Sequence, residues 1–111
     1  MKLVVLILNR IEMMEKLLCG FSEAKISGAT IIESTGMAQA LYNMEDGAFL
    51  GSLRFFLDPA KEDNRTILMV LKEEQIPDVK RVINDVIGDL SEPNTGILFT
   101  LPIDEVEGLH K

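Results

Sequence analysis

Residues Lys2 to Leu8 (KLVVLIL) and Arg65 to Lys72 (RTILMVLK) are apolar on both alternating faces, the pattern of strands covered on two sides. Gly28 to Thr35 (GATIIEST) and Gly96 to Leu101 (GILFTL), stopped by Pro102, also read as strands. Against these four, two segments carry a helical stripe. One follows Asn9, a candidate N-cap with Glu12 three residues on. It repeats Ile11, Met14, Leu17, Leu18, Phe21 and Ala24 and stops near Ser27-Gly28. The other runs from Glu73 to Asp89 with Ile76, Val79, Val82, Ile83, Val86 and Ile87 on one side, Pro77 in its first turn and Gly88 at its end. Two helices can cover one face of a four-stranded sheet. The other face is left over.

The order βαβ, then βαβ, predicts parallel pairing within each half and right-handed crossovers. Joining the halves gives a four-stranded antiparallel sheet with both helices on one face, the ferredoxin-like α+β fold (βαββαβ). With the first and third strands central, the outward face presents either Leu3, Val5 and Ile7 or Val4, Leu6 and Leu8. A matching row comes from Ile67, Leu68, Met69, Val70 and Leu71. A contiguous apolar patch of that kind is uncommon on a soluble monomer. Six or so such side chains, at about 1.5–3 kcal/mol each for full burial, can drive firm self-association. The expectation is a homo-oligomer built through the open face; the alternative is a different strand order with both faces covered by the chain's own loop.

A chain of 111 residues buries one core, so residues 1–111 read as one domain. Its longest non-periodic stretch, about 36–64, lies between the second and third strands; a connection of that length in a compact domain is usually functional. The formal net charge of −7 argues against nucleic-acid and anionic-membrane partners, which need clustered Lys and Arg. The apolar run Leu3 to Leu8 is too short for a signal peptide, and no segment reaches membrane-spanning length. The expected location is cytoplasmic, without direct membrane insertion. Cys19 stands alone, which excludes a disulfide framework and a Cys-based metal site within one chain. Ser34, Ser52 and Cys19 have no His in a suggestive place, and His110, the one His, reads as a tail residue. With no nucleophile paired to a base, the chain reads as a non-enzyme, and no metal site is assigned. The loop carboxylates Glu45, Asp46, Asp58, Glu62 and Asp63 read as solvated, and Arg54 in GSLRFF as a snorkelling surface side chain.

The stretches KISGATIIESTGMA and EPNTGILFTLPIDEVEGL, together with the order and length of the elements across nearly the whole chain, resemble the PII signalling proteins. The resemblance implies a homotrimer whose sheets face the threefold axis, with a long T-loop between the second and third strands and a glycine-bearing B-loop before the fourth. It further implies an adenine nucleotide in each cleft between neighbouring subunits and a protein partner met through the loop 36–64. On that basis Thr35, Gly36, Met37 and Ala38 fall at the T-loop base, and Asn94, Thr95 and Gly96 in the B-loop. Ile97 stands where the family has a phosphate-binding lysine, Ala38 and Gln39 replace a glycine and an arginine, and IDEVEGLHK has no counterpart of the paired C-terminal arginines. A triphosphate held in the family's standard mode would lack most of its charge compensation here. Tyr42 lies in the loop, in a context unlike the family's modified tyrosine. An alternative resemblance with the same trimeric architecture is a CutA-like divalent-metal-tolerance protein that binds no nucleotide. An acylphosphatase-like hydrolase of this fold needs an arginine-bearing phosphate loop after the first strand, and LNRIEMM supplies none.

Overall fold

The computed structural model describes residues 1–42 and 64–109. Its elements are β1 (Lys2–Leu8), α1 (Met14–Glu23), β2 (Thr30–Ser34), α2 (Met37–Tyr42), β3 (Asn64–Leu71), α3 (Ile76–Val86) and β4 (Gly96–Pro102). Short 3-10 turns at Ile11–Met13 and Glu73–Gln75 lead into α1 and α3. The strands form one sheet in the order β2-β3-β1-β4, and all three neighbouring pairs are antiparallel. This is the ferredoxin-like α+β arrangement. β1 and β3 are central, as expected; β3 lies between β1 and β2, so the two strands of each βαβ half run parallel without being hydrogen-bonded neighbours.

Alternation along the strands sorts the two faces. Val4, Leu6, Leu8, Ile67, Met69 and Leu71 are buried with Leu17 and Phe21 of α1, Ile26, and Val79, Val82, Ile83 and Ile87 from α3 and its end. The apolar stripes therefore face the sheet, as their spacing requires. Gly20 sets how closely α1 approaches α3. A Cβ there would lie 2.7 Å from Val82 Cγ1, inside the contact limit of a stiff, β-branched side chain. Alanine at this position should gain about 1 kcal/mol of helix propensity and lose about 1–3 kcal/mol to overpacking. The expected net effect of Gly20→Ala in chemical denaturation is a loss of about 1 kcal/mol. Adding Val82→Ala should abolish that penalty, so that Gly20→Ala becomes neutral or favourable in the Val82→Ala background of the double-mutant cycle.

Several boundaries differ from the sequence expectation. Asn9 is not a helix cap, since its N–H donates to Thr95 O at 3.0 Å and continues the β1–β4 ladder. The helical region opens instead on a 3-10 turn whose cap position, Arg10, makes no side-chain capping bond. α1 ends at Glu23, and Lys25 turns the chain with φ of 64°. The segment expected to be irregular from Gly36 begins with the helical residues Met37–Tyr42, so Tyr42 closes α2. Residues 43–63, including FLGSLRFFLD, Arg54 and the loop carboxylates, lie outside the described residues, as do His110 and Lys111. At the second helix, Gln75 Oε1 accepts the Lys72 N–H at 2.9 Å and Pro77 occupies the first turn. Gly88, with φ of 100°, ends the helix while its N–H donates to Ile83 O at 3.2 Å. β4 includes Pro102, paired with Lys2, at the end of an edge strand where a missing N–H is tolerated. Among the described residues no helix is long and apolar enough to cross a membrane.

Candidate functional site

The face away from the helices is apolar; its edge-strand side chains are exposed, while Val5 at its centre is buried. The register places Leu3, Val5 and Ile7 of β1 on that side, opposite Val70, Leu68 and Thr66 of β3 and Leu101, Phe99 and Ile97 of β4. Ile32 of β2 extends the row beyond Thr66. Ile97 is 58% exposed, Leu101 46%, Ile32 45% and Phe99 42%, so these side chains meet water in a single chain. Of the two sets open to the sequence, Leu3, Val5 and Ile7 is thus the outward one. At one margin the face turns polar. Ser34 Oγ donates to Asn64 Oδ1 across the β2–β3 pair and lies 2.8 Å from Thr66 Oγ1. With its single proton given to Asn64, the serine accepts from Thr66.

The seven sequence-predicted site residues fall into two groups at this same end of the sheet. Thr35, Gly36, Met37 and Ala38 follow Ser34 at the β2 edge, where Gly36 O accepts the Ala40 N–H at 2.9 Å and Met37 is 78% exposed. Asn94, Thr95 and Gly96 lead into β4 at the opposite edge. β3 and β1 stand between them, so the groups are three inter-strand spacings apart, about 14 Å. One chain does not bring them together. A cavity of 260 Å³ opens between α1 and α3, and another of 240 Å³ behind Gly88 to Leu90; neither is lined by a residue of these two groups.

The turn before β4 is built by its own polar atoms. Asp89 Oδ1 accepts the Ser91 N–H at 2.9 Å, and hydrogen bonds from the Ser91 backbone and side chain hold the Asp89 carboxyl below the ordinary aspartate value. Glu92 N–H donates to Asp89 O at 3.1 Å. Asn94 adopts φ of 60°, a conformation asparagine tolerates better than most residues. Thr95 is 2% exposed, and its hydroxyl is directed at Glu92 O (2.8 Å) and Leu90 O (3.1 Å). That hydroxyl therefore organises the turn. Gly96 is dictated by close approach, since a Cβ would stand 2.6 Å from Ile7 O.

Charge at this end is largely committed. Arg65 lies 3.7 Å from Glu33 and donates to Asn64 O at 3.1 Å, while Arg10 reaches Ile87 O at 3.4 Å. Among the described residues no cluster of three His, Cys, Asp or Glu side chains is arranged to hold a metal ion. Cys19 is exposed on α1.

No model of a known protein family matches the chain, and no curated protein matches it. A solved structure does. It is described as the crystal structure of a functionally unknown protein from Pediococcus pentosaceus ATCC 25745, and it is similar with a TM-score of 0.63 and 19% identity over 97% of this chain and 96% of that one. That likeness speaks for the fold. The sequence reading missed Ser34 and Asn64 as partners, because their pairing depends on the β2–β3 register, which spacing along the chain does not reveal.

Proposed function

We propose that this chain is a PII-like regulatory protein: a cytoplasmic, non-enzymatic homotrimer that holds a small ligand, of the adenine nucleotide class, in clefts between subunits. It acts on a protein partner through the segment 36–64. The observation that carries this reading is the apolar sheet face, whose aliphatic and aromatic side chains are buried once further copies cover it. At about 25 cal/mol per Å² of apolar surface removed from water, a patch of this composition favours stable assembly. The two half-sites support the same arrangement. They sit at one end of the sheet on opposite edges, so residues 35–38 of one copy can meet residues 94–96 of the next where edges adjoin.

The test combines mass and ligand response. Sedimentation should give three times the 12.4 kDa of a single subunit. Thermal unfolding with saturating AMP, ADP or ATP should show a midpoint raised by several degrees for at least one nucleotide, because a ligand at a hundredfold its Kd stabilises by about 2.7 kcal/mol. With so few cations available, AMP should be more effective than ATP. A response to divalent metals alone favours the CutA-like reading, and a stable monomer indifferent to every nucleotide rejects the proposal.

A further inference from the structure

The polar margin of the open face holds a side chain oriented toward the T-loop-like half-site. Asn64 is the first residue of β3 and pairs with Ser34. Its carbonyl oxygen Oδ1 accepts the Ser34 hydroxyl proton, and the serine in turn accepts from Thr66 at 2.8 Å. With Oδ1 placed on the serine hydroxyl, the other arm of the carboxamide is directed away from it. The amino group Nδ2 consequently faces the other way, toward Gly36, where a Cβ would lie 3.5 Å from it. Gly36 thus leaves room at ordinary contact distance beside a two-proton donor whose carbonyl end is held by the Ser34 hydroxyl, itself bonded to Thr66.

We infer that Asn64 is a positioning and specificity residue of the inter-subunit cleft, donating through Nδ2 to an acceptor oxygen of the ligand beside Gly36. The inference rests on the cleft reading above. The class of atom recognised is a carbonyl, carboxylate or phosphate oxygen, and Ser34 acts one step back by holding the amide's orientation. A site built to donate a hydrogen bond discriminates strongly when the donor is replaced by an acceptor, because two oxygens are then forced together.

The experiment uses the full-length chain and AMP as the probe, with affinity from calorimetry and assembly mass from sedimentation. Asn64→Asp keeps the shape and the acceptor for Ser34 but replaces the N–H₂ donor with an oxygen. It should weaken AMP binding at least tenfold with the mass and the unfolding midpoint close to those of the wild type. Asn64→Gln, which retains the donor on a longer stem, should recover part of the loss, and Ser34→Ala should weaken binding about threefold by releasing the amide. Unchanged AMP affinity in Asn64→Asp overturns the inference and leaves the cleft reading standing. Loss of the assembly in Asn64→Asp also overturns it, by making Asn64 an interface residue. Wild-type protein that binds no AMP overturns both.

Discussion

Phe99→Glu is expected to yield a folded single subunit in place of an assembly. Phe99 lies on the edge strand β4 opposite Val5, with Leu101 and Ile97 on either side of it on the same face, and is 42% exposed in the isolated chain. A glutamate there can extend into water, so the cost to the monomer is that of an altered edge-strand residue, about 1 kcal/mol or less. In an assembly joined through this face the same carboxylate is buried against Leu and Val side chains without a partner. Leaving a buried charge uncompensated costs about 3–5 kcal/mol, and the penalty recurs in every subunit. Sedimentation should show mass falling to that of one chain while the far-ultraviolet circular dichroism is retained. A variant that keeps the wild-type mass shows that copies do not meet through this surface.

A second large effect is expected at Gly96, where a methyl group would be driven against the backbone. The Cβ of an alanine would stand 2.6 Å from Ile7 O, with Leu8 Cα at 3.6 Å. Relief requires moving β1 or β4, and the two strands are joined from Lys2↔Pro102 to Leu8↔Gly96, with Asn9 bonded to Thr95 beyond. Gly96→Ala should therefore lose about 3 kcal/mol, the upper part of the range for overpacking, measured as a lower denaturant midpoint at unchanged slope. Gly36→Ala offers the contrast, since its Cβ would meet Asn64 Nδ2 at an ordinary 3.5 Å and stability should change by less than about 1 kcal/mol. Equal losses at the two positions would contradict the distinction between a glycine required by packing and one that leaves space.

The large elements were legible because their signals are redundant. Val4, Leu6 and Leu8 alternate with Leu3, Val5 and Ile7, so β1 is apolar however it is turned, and the stripe of Val79, Val82 and Ile83 has no other sensible partner than a sheet. Details that hinge on distant residues were not. Asn9 carries the chemistry of a cap, yet its backbone is claimed by Thr95, a preference that appears only when β4 lies beside β1. The helix Met37–Tyr42 consists of MAQALY, good helix formers in a run too short to display a period. For the candidate site, the order of elements was enough to put residues 35–38 and 94–96 at one end. Their placement on opposite edges follows from the first and third strands being central, as the element order led one to expect.

The turn between α3 and β4 has an energetic consequence of its own. With Asp89, Glu92 and Thr95 bonded within the turn and Asn9 fastening it to β1, its conformational freedom is surrendered when the protein folds. Any contact made with this turn therefore costs less in ordering the protein than one made with a loop that lacks such bonds.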